Sequence, residues 1–458
     1  MCTYSPKNNL WQIKNDLYSL FEKPKYASID GMRSISCLLI IFLHIIALLN
    51  AYIPSYPHQQ WMVYLKSYSF RLLPLAGLAL ETFFMLSGFL LTMKFIQQQH
   101  LFLWKGHATY ILTRACRFWP GFVLVTIVML ILDEPEGNWR SVWLFYQNYV
   151  SIEQWTIGYT ALWSVSLDIQ MHILLPLILH LITSFRSNRQ RTYLALYILV
   201  ILSIIYSLFV FNPKTMDLLT FVYRQHSMAL LISQRMLNWI GTKYNTTMAF
   251  EKPADPSIAT PFMELMYLPI PSRYASFVIG SILAFYFIDT KNKTIIHYGK
   301  VKKYVYLILV LVFIILFTTS GEPDNVSPIA LTIMISIIRQ LFTISQAFIL
   351  FSTICSSTHP YHSPWIKSFL SLSIWTPFAK LSYLIYVLHF RIAFSLIMSH
   401  SDFFDPKRFS IDALTLLCLA IVVTICLILS VIWFVLVEQP FQRWINMRLF
   451  NSEKPHTH

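Results

Sequence analysis

Residues 30–44 read DGMRSISCLLIIFLH, a polar start followed by an apolar run, with Arg33 near its beginning and His44 at its end. The step of eleven residues from Arg33 to His44 makes about three turns of an α-helix, so both side chains lie on one face, about 16 Å apart along the axis. This distance is about half of the ~30 Å hydrocarbon core of a bilayer. The stretch therefore predicts a membrane helix with Arg33 at one surface and His44 near the midplane.

The composition of the whole chain is that of a membrane protein. Of its 458 residues, 56% are hydrophobic and 12% are charged, and the mean hydropathy is +0.55, whereas soluble domains carry about 25% charged residues. We predict an all-α polytopic membrane bundle of about ten transmembrane helices. Apolar runs of spanning length occur at 32–53, 70–93, 108–132, 160–182, 192–211, 263–288, 304–320, 328–352, 378–398 and 412–437.

The distribution of Lys and Arg predicts the orientation. Cytoplasmic loops are enriched in these residues, and the basic loops RSNRQR (186–191) and KNKTIIHYGKVKK (291–303) alternate with the acidic loops DEPE (133–136) and GEPDN (321–325). Both termini are therefore expected in the cytosol, in a multi-pass protein of the endoplasmic reticulum or plasma membrane. The net charge of +14 is explained mostly by the basic residues of the cytoplasmic loops, so no nucleic-acid partner is expected.

Three units and no metal site are expected along the chain. We predict a cytosolic amphiphilic lead at 1–29, a transmembrane domain at 30–448 and a cytosolic tail at 449–458. The six cysteines are scattered and form no CxxC pair, so neither a zinc site nor a disulfide framework is indicated. Sequons at Asn245 and Asn325 are expected outside the cell or in the lumen, and a re-entrant helix is considered within 212–262. A further sequon at Asn292 is expected inside.

Ionisable residues interrupt four of the apolar runs. A charge at the centre of a membrane helix costs about 2.5–3.5 kcal/mol on insertion scales, so such residues usually face the bundle interior. Together they predict a polar cavity, although each alone could also be a packing residue. The two acidic residues could also pair with Arg391 or with a backbone group in a structural role. The residues are His44, Glu81, Asp168 with His172, and His389 with Arg391.

A pair of arginines precedes the apolar body of the third run. Arg114 and Arg117 are three residues apart, on one helical face, just before Pro120. They could anchor the helix at lipid headgroups, or they could bind phosphate, which guanidinium groups do in bidentate fashion. With Arg33 at the same surface, three arginines would surround the mouth of the cavity, which suits an anionic cytosolic cosubstrate.

In six ordered motifs the sequence resembles the acyltransferase-3 superfamily of integral-membrane acyltransferases, in its animal nose-resistant-to-fluoxetine-like branch. The similarity runs through about 30–448, and Thr113, Met171 and His172 depart from the usual residues of its motifs. Animal members commonly carry a luminal cysteine-containing domain before the bundle, so a short form, a fragment or a divergent relative is expected. The motifs in chain order are DGMRSISCLLIIFLH (30–44), ETFFMLSGFLL (81–91), TRACRFWP (113–120), ALWSVSLDIQMHILLP (161–176), LSYLIYVLHF (381–390) and VEQPFQRW (437–444).

The resemblance implies an O-acyltransferase that moves an acyl group from cytosolic acyl-CoA to the hydroxyl of an acceptor such as a lipid or a sugar. It makes Arg33 and His44 the central pair and Arg114 and Arg117 contacts of the donor phosphates. Acyl-CoA is then a cosubstrate, and no bound cofactor or metal is expected.

The chemistry of the residues agrees with this implication. Transfer to an alcohol needs a base near pH 7, and histidine suits that task. Our hypothesis is that neutral His44 deprotonates the acceptor while Glu81 or Asp168 orients its other ring nitrogen. The alternatives are a transporter or sensor of lipids or hydrophobic compounds, and a catalytically inactive relative.

Overall fold

The computed structural model describes residues 6–52, 73–102, 104–132, 134, 137–151, 154–184, 189–210, 269–291, 328–400 and 410–450. Within these residues the regular structure is entirely helical. A π-helical turn, Phe434–Glu438, joins the last two α-helices. The α-helices are α1 Pro6–Phe21, α2 Ala27–Tyr52, α3 Leu73–Gln97, α4 Trp104–Ile131, α5 Trp139–Trp143, α6 Trp163–Ser184, α7 Arg189–Val210, α8 Ile270–Lys291, α9 Pro328–Ile354, α10 Pro364–Leu370, α11 Trp375–Ser399, α12 Ile411–Trp433 and α13 Gln439–Phe450.

Nine helical stretches in the described part of the chain are long and apolar enough to cross a membrane. They confirm the predicted all-α membrane bundle and match nine of the predicted apolar runs. The run at 304–320, the segment 212–262 and the sequons at Asn245, Asn292 and Asn325 lie outside the described residues. The stretches are Ala27–Leu49, Gly77–Gln97, Gly106–Ile131, Thr160–Ser184, Arg189–Leu208, Ile270–Thr290, Ile337–Ile354, Trp375–Ser399 and Asp412–Ile445.

Helices α2 and α11 run parallel and in contact through the middle of the bundle. The hydroxyl of Ser34 donates to the carbonyl of Trp375 at 3.0 Å. Further along both helices, one turn in α2 and two turns in α11, the thiol of Cys37 lies 3.8 Å from the carbonyl of Ser382. Because the contacts ascend together in both helices, residues near the end of the 30–44 stretch meet the residues of α11 that follow Ser382.

Helices α3 and α8 approach so closely that their backbones touch at glycines. A Cβ added to Gly88 would lie 2.1 Å from the carbonyl oxygen of Phe277, and one added to Gly280 would lie 2.1 Å from the carbonyl oxygen of Met85. Small residues at both crossings let the helices pack backbone to backbone, as is common between membrane helices. Ser87, the residue before Gly88, lies beside this contact.

The predicted lead contains a helix that packs against the bundle. The carboxylate of Asp16 in α1 pairs with Arg443 of α13 at 2.6 Å. The ammonium of Lys380, in the first turns of α11, donates to the backbone carbonyls of Ser19 and Glu22, the latter at 2.7 Å. We call the end of the bundle that carries α1, the start of α2 and α13 the near end, and the opposite end the far end.

Candidate active site

His44 meets a second histidine inside the bundle. Its Nδ1 atom lies 2.7 Å from the Nε2 atom of His389 on α11, and the two rings are stacked with centroids 4.9 Å apart. The Nδ1 atom of His389 in turn lies 2.5 Å from the carbonyl oxygen of Tyr386, one turn earlier in α11. The edge of His44 also packs on Phe390 at 5.1 Å, so the imidazole is held on two sides.

The hydrogen-bond partners determine the tautomers of both rings. A carbonyl oxygen only accepts, so Nδ1 of His389 carries the proton, and in the neutral ring Nε2 is then the acceptor. Nδ1–H of His44 therefore donates to His389, which leaves the lone pair on Nε2 of neutral His44. No described residue hydrogen-bonds to that Nε2 atom, and the side chain of His44 is partly exposed. This is the arrangement that a general base needs.

Asp168 is one of the two carboxylates expected to orient His44, but the structure pairs it with other groups. Its carboxylate accepts from Arg114 at 2.7 Å and from the hydroxyl of Ser87 at 2.5 Å. His172, one turn along α6, donates Nδ1–H to the backbone carbonyl of Asp168 at 2.7 Å. A guanidinium and a hydroxyl satisfy this carboxylate, so Asp168 positions Arg114 instead of the histidine.

Glu81 does not orient His44 either. Its side chain is fully buried and lies between α3, α8 and α9. It pairs with Arg273, accepts from the hydroxyl of Ser276 at 2.5 Å and lies 3.4 Å from Arg339. Two cations from neighbouring helices hold this carboxylate, so Glu81 ties three helices together.

The three arginines that the sequence placed at one surface do come together. Arg114 and Arg117 lie on successive turns of α4, and both interact electrostatically with Arg33 of α2. The carboxylates of Asp30 and Glu438 also act on this group, on Arg33 and on Arg117 respectively. Arg33 and His44 lie on the same stripe of α2, and the arginine group is nearer than His44 to the near end.

Two of these guanidinium groups have no hydrogen-bond acceptor among the described residues. Arg114 is engaged by Asp168, whereas Arg33 and Arg117 make no hydrogen bond or ion pair with a described residue. Arg117 is exposed although its helical neighbours Ala115 and Cys116 are buried. A planar guanidinium with free donors is suited to bidentate recognition of phosphate.

Arg391 pairs with a carboxylate that was not predicted from the sequence. It pairs at 2.6 Å with Glu134, in the far-end loop that follows α4, and both side chains are fully buried. Glu81 and Asp168, for which a pairing with Arg391 was one alternative, pair instead with Arg273 and Arg114. Burial raises the pKa of Glu134, while Arg391 and the backbone N–H of Gly158 act to lower it. The pair joins the far-end loop to the helix that carries His389.

Two further features of the near end were not predicted from the sequence. Lys94, in the last turn of α3, places its ammonium 4.4 Å from the ring centroid of Tyr110 on α4. Glu438, buried in the π-helical turn after α12, faces Arg117 and Tyr383. A lysine within an apolar run was a possible signal for the first, whereas the π turn, which often marks functional sites, has no recognisable sequence signal.

Among the described residues no group of three or more His, Cys, Asp or Glu side chains could hold a metal ion. Five of the six cysteines fall in this part of the chain, and all five are buried and free.

Comparison with known proteins identifies the family. A family model described as an acyltransferase domain, that of the acyltransferase-3 family, matches residues 26–433. No curated protein and no solved structure matches the chain. Because the model covers most of the chain, the protein belongs to the acyltransferase-3 family.

Proposed function

We propose that this member of the acyltransferase-3 family is a membrane O-acyltransferase that moves an acyl group from cytosolic acyl-CoA to a hydroxyl of an acceptor such as a lipid or a sugar. The observation that carries the proposal is the Nε2 atom of His44, which has no hydrogen-bond partner among the described residues. Its lone pair is available because Nδ1–H of His44 donates to His389. The six ordered motifs support a place in the nose-resistant-to-fluoxetine-like branch.

In the proposed reaction His44 acts as the base. Its Nε2 takes the proton of the acceptor hydroxyl while the oxygen attacks the thioester carbon. The tetrahedral intermediate then collapses, the carbon–sulfur bond breaks, and the imidazolium returns the proton to the sulfur. The products are the acyl ester and free CoA. His389 remains an acceptor for Nδ1–H of His44 throughout, so it stabilises the imidazolium without itself changing protonation.

The arginine group at the near end suits the phosphates of the donor. Arg33 lies about 16 Å along α2 from His44, a distance comparable to the pantetheine arm that separates the diphosphate of CoA from its thioester. The donors of Arg33 and Arg117 have no acceptor among the described residues, and Arg114 is held in place by Asp168. The excess of Lys and Arg in the near-end loops supports a cytosolic near end, in the endoplasmic reticulum or plasma membrane.

Asp168 and Glu81 keep supporting roles in this proposal. Asp168 acts through Arg114. Glu81 is fully buried and acts through the packing of α3 against α8 and α9, so neither carboxylate is placed in contact with the acceptor hydroxyl.

The test is acyl transfer and thioester hydrolysis by the purified protein in detergent, with acetyl-CoA and a long-chain acyl-CoA. We expect His44→Ala and His44→Gln to abolish turnover, and Arg117→Ala to weaken binding of the donor. His180→Gln is the matched control, because His180 also lies in a membrane helix but is exposed on the outside of α6.

The outcomes separate the candidate functions. Full activity of His44→Gln at normal protein levels would contradict the assignment of the base. If the well-folded wild type bound no CoA thioester, the acyltransferase proposal would fail in favour of lipid or drug transport. Binding without turnover, over a range of acceptors, would indicate an inactive relative.

A further inference from the structure

Lys94 is a cation without a counter-ion in the part of the chain that the structure describes. It is partly buried in the last turn of an otherwise apolar helix, α3. Its Nζ atom lies over the face of Tyr110 at 4.4 Å, a cation–π contact that holds the ammonium in place while leaving its three N–H groups available. No carboxylate or carbonyl of a described residue accepts from it. An ordered ammonium with free donors is suited to an anionic ligand.

The position of Lys94 continues the arginine group toward the near end. Tyr110 lies one turn before Arg114 on the same face of α4, and Ser87, which shares Asp168 with Arg114, lies seven residues before Lys94 on α3. The backbone of Lys94 therefore lies about 10 Å along α3 from that of Ser87, on the near-end side of the Arg114–Asp168 pair, and the charges of Lys94 and Arg114 act on each other. From the near end inward, the order is Lys94, the arginine group and then His44.

This order matches the order of charged groups in CoA. The thioester is followed by an uncharged pantetheine arm, then by the diphosphate, and then by a ribose whose 3′-hydroxyl carries a separate phosphate. Arginine forks fit the diphosphate, whereas a single terminal phosphate is well served by the compact charge of a lysine. A lysine that only reached toward lipid headgroups would not need to be held over an aromatic ring.

We propose that Lys94, held by Tyr110, binds the 3′-phosphate of the CoA donor and lets the enzyme select CoA thioesters over thioesters that lack this phosphate. The inference rests on the proposed function and specifies the donor that the same site accepts.

The experiment compares acetyl-CoA with 3′-dephospho-acetyl-CoA, or the same pair with a longer acyl group if the wild type prefers it. The measured quantity is the ratio of the two kcat/KM values. We expect the wild type to favour the 3′-phosphorylated donor by about ten- to a hundredfold, as one charged contact provides. Lys94→Met should bring the ratio close to one by lowering kcat/KM for the 3′-phosphorylated donor alone. Lys94→Arg should retain most of the wild-type preference.

Two controls accompany these variants. Lys367→Met removes an exposed near-end lysine and should leave the ratio unchanged. Tyr110→Phe keeps the ring and should retain the ratio, whereas Tyr110→Leu should lower it. Because both donors are measured on each variant, a loss of folded protein lowers both rates equally and leaves the ratio intact.

The inference and the proposed function fail in different ways. A wild type that uses both donors equally well, or a Lys94→Met variant with the wild-type ratio, would overturn the role of Lys94 and leave the acyltransferase proposal standing. Equal slowing with both donors would also overturn it, because the lysine would then serve another anion or the packing. A wild type that uses neither donor would contradict the proposed function itself.

Discussion

His44 and His389 lie 345 residues apart in the chain, yet their ring nitrogens are 2.7 Å apart in the bundle. The backbone carbonyl of Tyr386 ends the chain of hydrogen bonds and determines which nitrogens carry protons. The arrangement resembles in logic the orientation of a catalytic histidine by an acceptor, except that the acceptor is a neutral imidazole. A neutral partner avoids the cost of a second buried charge within the membrane.

The first prediction concerns His389. His389→Leu removes the acceptor of Nδ1–H of His44, so we expect kcat to fall by about a hundredfold, within the range of general-base effects. The KM of the donor should change little, because the arginine group is untouched. His389→Gln offers a carbonyl oxygen at a similar reach and should recover part of kcat. A purely structural role would instead lower the melting temperature of both variants and make no distinction between Leu and Gln.

The second prediction concerns the Asp168–Arg114 pair. Asp168→Asn releases Arg114 from its position, and we expect the KM of acyl-CoA to rise by about tenfold, the value of one charged hydrogen bond. In a double-mutant cycle with Arg114→Met the two losses should not add, because the residues act as one unit. Asp289→Asn, which breaks the more exposed Arg189–Asp289 pair, is the matched control. Additive losses would refute the coupling.

The third prediction concerns the glycine contact between α3 and α8. Gly88→Ala places a Cβ 2.1 Å from the carbonyl oxygen of Phe277, so the two helices must separate, at a cost of about 1–3 kcal/mol. Activity should fall as well, because the adjacent Ser87 holds Asp168. Gly77→Ala, in the same helix with no atom of a described residue within 4 Å of the added Cβ, should be tolerated. Thermal unfolding in detergent measures both, and equal melting temperatures would contradict the close contact.

The fourth prediction concerns the fully buried Glu134–Arg391 pair. Arg391→Met leaves the carboxylate buried without its cation, and we expect a loss of about 3–5 kcal/mol, as for other broken buried pairs. Glu134→Gln in the same protein should recover part of it.

The loss in Arg391→Met should also depend on pH. Burial raises the pKa of Glu134, and without Arg391 one of the opposing effects is gone. The folded state then binds a proton more tightly than the unfolded state, so its stability rises as the pH falls. Melting temperatures at pH 8 and pH 5.5 should therefore differ more for Arg391→Met than for the double variant. A difference of the same size in both would exclude Glu134 as the titrating group.

Much of the site was predictable because it lies within single helices. Arg33 and His44 share a stripe of α2, and Arg114 and Arg117 share a face of α4, so helical spacing alone relates the members of each pair. That all three arginines belong to one end followed from the orientation of the loops. The structure brings them together as expected.

The partners of the charged groups were not predictable in the same way. Asp168 was expected to serve His44, but a guanidinium on α4 is the stronger partner for a carboxylate and occupies it. Arg391 pairs with Glu134 from a loop, and Lys94 relies on an aromatic ring in place of an acid. Each of these choices depends on which helices are neighbours, a relation that hydropathy and spacing do not contain.

The sequence by itself determined the membrane bundle, the candidate base and the arginines at one end, because helical periodicity and the cost of charge in lipid act along a single segment. Only the tertiary structure decided which group holds the base. Helices α2 and α11 pack in parallel, so the ring of His389 reaches His44. A hydrogen bond between side chains requires atoms within about 3 Å, and the packing of the helices sets that distance.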